Sequence, residues 1–493
     1  MFEDISFAND DFQTAANWFL VAAKDGNKSA QYNLGVLYNH GRGVEQNYEE
    51  AAKWYELAAN QGDINAQYAL AVLYQLGHGV EQNYEKAFTL YFESAKAGNA
   101  DAQYNLGAMY NQGEGITQNY VEAAKWYRLA AQQNNTSAQN NLGFLFHNGQ
   151  GVEQDYEQAA SYFLQAASLG DASAQYNLGY LYLKGRGVEQ SFKQAARWFI
   201  SAALQDHSNA QFQLALLYQT GQGVQQNEEE AIKWLTVAAN DGHTNAKYTL
   251  GLIYLKKSGN FAKQHAIEWL LKAAEKGHVS AAFDLSTAYK QMNELQAAEK
   301  WLKHAASKGH SKAQYELGML TLQKPSTTSN SEEAFTWIQL ASKAGITDAY
   351  FQLGKLYEGG IGTITNYVAA KECYERAAEN GHVDAQYHLG NLFDKGSGVA
   401  QDFEQAAKWI SLAANAHHPK AQFQLAQMYA NGEGVAQNYN EAAKWYRHAA
   451  TQGHAKAQFQ LGMLYKKGLG VSQDYREATN WLKKSMDQEV SPS

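Results

Sequence analysis

The stretch AQYNLGVLYNHGRGVEQNYEEAAKWYELAANQG, from Ala30 to Gly62, decides the fold of this chain because the chain repeats it. Copies follow every 36 residues, except for spacings of 35 after Ala246 and 32 after Ala281. Similarity at a fixed period predicts a solenoid, in which neighbouring units bury a shared core. The thirteen copies, numbered repeats 1 to 13, open at Ala30, Ala66, Ala102, Ala138, Ala174, Ala210, Ala246, Ala281, Ala313, Ala349, Ala385, Ala421 and Ala457.

Each repeat is predicted to form two helices, with positions counted from its opening Ala. The first helix, as in residues 30–39, has apolar and aromatic side chains at helical spacing. A GxG turn follows, and VEQNYEEAAKWYELAAN at 44–60 predicts the second helix. Gly62 stands where a left-handed residue commonly ends a helix. Before repeat 1, residues 11–26 match the second half of a repeat, so a leading half repeat is also predicted.

The tryptophans indicate a packing position. All eleven share one column, position 25 of the full-length repeats and its equivalent in the two shorter units and the leading half. A column of bulky aromatic side chains predicts burial in the core, because each ring removes about 150–250 Å² from water. The column consists of Trp18, Trp54, Trp126, Trp198, Trp234, Trp269, Trp301, Trp337, Trp409, Trp445 and Trp481.

The repeat resembles the Sel-one-like repeat (SLR) family, relatives of the tetratricopeptide repeats. The likeness lies in the pattern AQYNLGxLYxxGxGVxQNYxxAAKWYxxAAxxG and covers residues 10–485. It implies an all-α fold, an α/α superhelical solenoid of about 13 helix-turn-helix repeats plus the half repeat, with first helices lining a concave face. The resemblance further implies a bacterial, TPR-like adaptor that binds proteins or peptides, with host interaction among the family's roles.

The pattern breaks in one region. From Leu255 to about Ser331 the GxGVxQNY turn is lost, and one unit is four residues shorter. A shorter unit changes how its neighbours pack, which predicts a kink or altered curvature there. The predicted organisation is an N-terminal half repeat or cap at 1–29, an N-terminal arm at 30–254, irregular repeats at 255–331, a C-terminal arm at 332–485 and a tail at 486–493.

Composition excludes several classes of function. The net charge of −9 and the absence of a basic run argue against a nucleic-acid partner. No apolar stretch of about 18 residues exists to span a membrane, and the N-terminus lacks the features of a Sec signal. A soluble protein is expected, cytoplasmic or exported by a non-Sec route, and monomeric. The single cysteine, Cys373, excludes an intramolecular disulfide.

No residue pattern predicts catalysis, a metal or a cofactor. The sequence has no HExxH, Walker, GxSxG or SxxK motif, and Cys373 is interpreted as a structural thiol. A histidine column just after the second helix invites a metal hypothesis, yet equivalent residues of neighbouring repeats lie about 8–10 Å apart. Capping of the next helix is favoured, because Asn or Asp holds this place in the earlier repeats. The column is His207, His243, His278, His310, His382, His418 and His454.

Positions that vary between repeats are expected to report the ligand. Positions 4, 7, 10 and 11 lie on one face of the first helix. Position 4 carries a row of amides, which can bond the backbone of an extended peptide. Position 7 is apolar in the N-terminal arm, which suits a partner's extended segment or amphipathic helix. The predicted partner-binding residues are Asn33, Asn105, Asn141 and Asn177 in the amide row and Phe144, Tyr180 and Leu216 in the apolar stripe.

Two structural alternatives to binding remain open for this face. The apolar stripe can instead pack against the next repeat, and the asparagines can bond within the solenoid. Functionally, a protein-binding adaptor is predicted. The alternative is a module that binds a small ligand, a glycan fragment or lipid head group, in the superhelical cavity. An enzyme with an unrecognised site is a third hypothesis, which no aberrant repeat favours.

Overall fold

The computed structural model describes residues 3–325 and 327–489, with side chains for 11–325 and 327–487. Within these residues the chain is all-helical, which confirms the predicted class. The helices are α1 (Glu3–Lys24), α2 (Lys28–His40), α3 (Tyr48–Asn60), α4 (Ile64–Leu76), α5 (Tyr84–Lys96), α6 (Ala100–Gln112), α7 (Tyr120–Gln132), α8 (Thr136–Asn148), α9 (Tyr156–Ser168), α10 (Ala172–Lys184), α11 (Phe192–Ala203), α12 (Ser208–Thr220), α13 (Glu228–Asn240), α14 (Thr244–Lys256), α15 (Asn260–Glu275), α16 (Val279–Gln291), α17 (Leu295–Ser307), α18 (Ser311–Leu322), α19 (Thr328–Lys343), α20 (Thr347–Gly359), α21 (Tyr367–Glu379), α22 (Val383–Lys395), α23 (Phe403–Asn415), α24 (Pro419–Asn431), α25 (Tyr439–Thr451), α26 (Ala455–Lys467) and α27 (Tyr475–Glu489).

Neighbouring helices pack in the order of the sequence. Within a repeat the first helix packs on the second, as α2 does on α3, and α3 packs in turn on α4 of the next repeat. This pairing confirms a solenoid of stacked helix pairs. The helices form two compact units that divide between Leu250 and Gly251. The predicted domain boundaries and the altered curvature at 255–331 stay predictions, and the tail at 486–493 extends beyond the described residues.

Side-chain caps set where the helices begin. Before repeat 1, the side-chain oxygen Oδ1 of Asn27 accepts from the backbone N–H of Ala30, and this cap starts α2. The second helix begins at Tyr48, because the Asn47 side chain accepts from the N–H of Glu50. The predicted helix at 44–60 was therefore four residues too long at its start. An Asn cap satisfies a backbone donor that has no partner inside the helix.

The GxG turn brings one repeat onto the preceding one. Gly79, in the turn of repeat 2, has φ +67°. A Cβ there would overlap the backbone of Tyr48, the first residue of α3. Glycine therefore meets two requirements, a left-handed conformation and a close backbone approach. Val80, the next residue, packs against the core shared by repeats 1 and 2.

The predicted burial of the tryptophan column is wrong for most of its members. Trp269 is buried, Trp18 is 74 % exposed, and the other tryptophans are partly exposed. The core residue is the next one along the helix, position 26, because it faces the neighbouring first helix directly. The buried side chains at position 26 are Tyr55, Tyr91, Tyr127, Phe163, Phe199, Leu235, Leu270, Leu302, Ile338, Tyr374, Ile410 and Tyr446.

A buried glutamine at position 2 joins consecutive helices. Gln31 donates from Nε2 to the carbonyl oxygen of Ala23 at 3.0 Å, which satisfies an acceptor at the end of α1. Its own Oε1 accepts from Gln61 Nε2 at 2.7 Å. The first of these bonds recurs at Gln103, Gln139, Gln175, Gln211, Gln314, Gln386, Gln422 and Gln458.

Not every repeat has the second of these bonds, and restoring it in repeat 4 is expected to stabilise the protein. Leu169 stands where Gln133 donates to Gln103, so Gln139 Oε1 is buried without a partner. Leu169→Gln should raise the free energy of unfolding by about 1 kcal/mol, seen as a higher urea midpoint. Leu169→Glu is the control, because it matches Gln in shape and has no donor when ionised. Equal midpoints for the two variants would contradict this account.

Candidate functional site

The histidine column caps first helices, as interpreted from the sequence. Each Nδ1 accepts the backbone N–H three residues on, at 3.0–3.2 Å. Rings of the column stack on the aromatic side chain at position 3 of the same repeat, as His454 does on Phe423 with centroids 4.6 Å apart. Burial of the ring lowers the pKa of six of these histidines and is the largest effect at each. The six are His207, His243, His278, His310, His418 and His454.

A histidine cap reproduces the bonding of an asparagine cap. Asn135 accepts from the N–H of Ala138 through Oδ1 and donates through Nδ2 to Asp101 of the preceding repeat at 3.0 Å. His243 accepts through Nδ1 in the same way, and its Nε2 lies 3.2 Å from Asn209 Oδ1. The neutral ring, with its proton on Nε2, satisfies both contacts. The column is thus part of the scaffold.

The amide row is half-buried and bonds within the solenoid. Asn105 Nδ2 donates to the hydroxyl of Tyr91 at 3.2 Å, and Asn141 Nδ2 donates to that of Tyr127 at 3.3 Å. The structure thus supports the internal-bonding alternative for these side chains. Their carbonyl oxygens remain as acceptors on the face. Asn177 donates instead to Asn140 Oδ1 at 2.9 Å, and Asn33 is also half-buried.

Positions 4 and 10 of neighbouring repeats are linked through the tyrosine at position 26. Besides its bond with Asn105, Tyr91 donates to Gln75 Oε1 at 2.7 Å. A related link occurs in repeats 10 and 11, where the carboxylate of Glu358 joins the two positions: it accepts from the Tyr374 hydroxyl and lies 3.4 Å from His388 Nδ1. The link was not predicted, although a polar position 10 beside a tyrosine is visible in both repeats.

The apolar stripe divides into packed and exposed residues. Val36 and Val72, in repeats 1 and 2, pack against core clusters. Phe144, at the equivalent place in repeat 4, is 50 % exposed. Tyr180 and Leu216 follow at position 7 of repeats 5 and 6 and are half-buried, and Tyr180 also packs against a core cluster. Of the three residues in the predicted hot spot, Phe144 is therefore the one whose side chain is most accessible.

A separate cavity of about 410 Å³ lies in the irregular repeats 8 and 9. Its walls come from three successive helices and include Thr287 of α16, Leu302 of α17 and Met319 of α18. In a regular repeat the turn of the next unit covers this place with a valine, as Val80 does in repeat 2. Repeat 9 has Thr327 there, which caps α19 instead. The cavity therefore results from the loss of the regular turn.

Comparison with known proteins identifies a repeat family. A sequence profile of the Sel1 repeat matches residues 28–63, 64–99, 100–135, 136–171, 172–207, 208–243, 246–278, 311–346, 347–382, 383–418, 419–454 and 455–489. No curated protein sequence matches the chain. None of the described helices combines the length and the apolar character that crossing a membrane requires.

One solved structure supports the same fold over nearly the whole chain. A protective antigen present in uropathogenic Escherichia coli strains, which displays an SLR fold, is 29 % identical, with a TM-score of 0.59 over 97 % of this chain and 98 % of its own. A Sel1 repeat protein from Oxalobacter formigenes is 32 % identical over 46 % of this chain and 92 % of its own, with a TM-score of 0.43.

Proposed function

The chain belongs to the Sel1 repeat family, and from this premise we propose that it is a non-enzymatic scaffold that binds a protein partner on its first-helix face. Sel1-type solenoids are generally protein-interaction modules and generally non-catalytic. The observation that carries the proposal is the half-exposed ring of Phe144 beside half-buried amides. A large aromatic anchor with polar neighbours is what binding hot spots commonly contain.

The proposed partner element is an extended segment or an amphipathic helix. Phe144, Tyr180 and Leu216 hold equivalent places in consecutive repeats, so they offer apolar surface in a row. The free acceptors of Asn105 and Asn141 flank this row and suit backbone N–H groups of an extended chain. The apolar row supplies affinity, and the amides supply register.

The single thiol supports a non-enzymatic role. Cys373 lies buried in α21, where burial raises its pKa to about 11. At neutral pH the thiol is therefore protonated and weakly nucleophilic. Its side chain packs in a cluster with Leu353 and Leu356, as expected for a structural residue.

A comparison of partner capture tests the proposal. The double variant Phe144→Asp, Tyr180→Asp places two carboxylates on the predicted hot spot. The amount of partner that it captures should be at least tenfold lower than the amount captured by the parent chain. The matched control is Leu129→Asp with Leu204→Asp, two exposed apolar residues off this face. Circular dichroism checks folding, and Phe144→Asp alone covers the case in which the half-buried Tyr180 affects stability. Unchanged capture by the hot-spot variants would refute the assignment.

A second candidate function is the binding of a small ligand in the cavity of repeats 8 and 9. Its volume is within the usual range for ligand pockets. Because Leu302 and Met319 line it, an acyl or aromatic group suits it better than a sugar. Saturable binding of a small apolar probe, lost when Ala298→Leu narrows the cavity, distinguishes this candidate from the protein-binding one.

A further inference from the structure

A second groove lies in repeats 11 to 13, far along the chain from Phe144. It runs between α22 and α24 and reaches the first turn of α26, with a volume of about 600 Å³. Its two ends carry opposite charge. Asp394 and Glu433 stand at one end together with Lys395, which leaves a net negative charge there, and Lys420 and Lys456 stand at the other.

The acidic end has two carboxylates at places that elsewhere form a hydrogen bond. In repeats 2 and 3, position 10 is Gln75, whose Nε2 donates to Glu114 at position 13 of the next repeat, at 3.3 Å. In repeats 11 and 12 the same positions are Asp394 and Glu433, which cannot donate to each other when ionised. The acidic end therefore lacks a bond between positions 10 and 13, and Glu433 Oε1 accepts instead from Asn431 Nδ2 at 3.3 Å.

The charge of this end is only partly balanced. Burial, followed by the charge of Glu433, raises the pKa of Asp394, while the Gln424 amide and Lys395 act in the opposite direction. Gln424 Nε2 donates to Asp394 Oδ2 at 3.3 Å. Neither Asp394 nor Glu433 forms an ion pair within 4 Å with another described residue. An incoming cation would gain both carboxylates as partners.

The basic end carries two positive charges without ion-pair partners. Lys420 and Lys456 occupy the first turns of α24 and α26, where the helix dipole already favours negative charge. After burial, their two charges are the causes that lower the pKa of His454, which caps α26 between them. Neither lysine has an ion-pair partner among the described residues. An incoming carboxylate would relieve this repulsion.

Amide side chains connect the two ends. The groove between them is lined by Asn391 and Gln427, which can donate to or accept from a peptide backbone, and by Asn431, whose Nδ2 donates to Glu433 and whose Oδ1 can accept. Lys420 and Asn431 are eleven residues apart on α24, a rise of about 16 Å. An extended chain covers that length in about five residues.

We propose that this groove binds an extended peptide segment carrying an acidic and a basic side chain about five positions apart. The acidic side chain pairs with Lys420 and Lys456, and the basic side chain pairs with Asp394 and Glu433. This deepens the proposed function, because it rests on the first-helix face being a surface for protein segments, and it names the charge pattern of one such segment.

The test measures fluorescence polarisation of labelled octapeptides with the full-length chain. Each peptide is acetylated, amidated and built from Gly and Ser, with one Glu and one Arg five positions apart in either order. We expect saturable binding for one order, weakened at least tenfold when Glu and Arg are adjacent or both are replaced by Gln. Binding should also weaken as salt is raised, because the pairs lie in an open groove.

Charge reversal assigns the site. Lys420→Glu with Lys456→Glu should weaken binding at least tenfold, and so should Asp394→Lys with Glu433→Lys. Combining all four changes should restore binding for the peptide of the opposite order. Lys408→Glu, on α23 outside the groove lining, is the control and should have no effect.

Two results would overturn the proposal. One is the absence of saturable binding for both peptide orders up to about 1 mM, and the other is binding that the paired reversals leave unchanged. Partner capture that depends on Phe144 is measured separately. If the partner is still captured but no peptide binds, only the groove proposal is refuted. If peptides bind but capture does not depend on Phe144, only the proposal for the Phe144 surface is refuted.

Discussion

Gly434→Ala is expected to destabilise the junction of repeats 11 and 12 by about 4 kcal/mol, as strained backbone positions in a packed interface can. Gly434 has φ +70°, and a Cβ there would overlap the backbone of Phe403, the first residue of α23. The substitution combines the cost of a left-handed alanine with displacement of a turn from the neighbouring repeat. A lower urea midpoint and faster hydrogen exchange in α23 and α24 would show it.

Gly453→Ala is the matched control. Gly453 has φ +88° and no atom within 4 Å of a Cβ built on it. This variant carries the conformational cost alone, about 1–2 kcal/mol. Equal losses at Gly434 and Gly453 would show that the contact with Phe403 contributes nothing.

Lowering the pH from 7.5 to 5.0 is expected to destabilise the protein through its histidine caps. The folded state lowers the pKa of six of these histidines below the value of about 6.5 found in an unfolded chain. Their contribution to stability is therefore complete above pH 6.5 and is lost as the pH falls through the folded pKa. Burial of the ring is the first cause, and a protonated Nδ1 also cannot accept the backbone N–H.

Urea unfolding at the two pH values measures the effect. Each cap contributes about 1 kcal/mol, so His207→Asn, His310→Asn and His454→Asn together should remove about 2–3 kcal/mol of the pH-dependent loss. Nearby carboxylates act the other way at some caps, as Asp384 does 3.2 Å from His418 Nε2. The converse control is Asn99→His, which should add acid sensitivity. An unchanged pH dependence in the triple variant would contradict the capping account.

The fold was predictable because the repeat gives the same information thirteen times. Helical spacing, the GxG turn and the 36-residue period were enough to predict a solenoid. Burial at single positions was harder to predict from the sequence. Positions 25 and 26 are both aromatic in repeat 1, and only packing shows that Tyr55 is buried while Trp54 is partly exposed. The role of Gln31 was missed because glutamine in a helix is typical of an exposed face.

The site was predictable as a face and less so as a set of contacts. Position 7 was recognised from its variation, but whether Val36 packs or Phe144 protrudes depends on the size of side chains in the adjacent repeat. The bond from Asn105 to Tyr91 joins residues 14 apart. The opposed charges of the second groove come from α22, α24, α26 and the turn after α24, so reading one repeat at a time could not bring Asp394 and Lys456 together.

The approach of each GxG turn to the preceding repeat has a consequence for synthesis on the ribosome. The start of α3 is covered by the turn at Gly79, which is made 31 residues after Tyr48. A helix pair therefore reaches its final packing only when most of the next pair has emerged. Folding of the nascent chain should trail elongation by about one repeat, and a stalled ribosome would present one incomplete unit to chaperones and proteases.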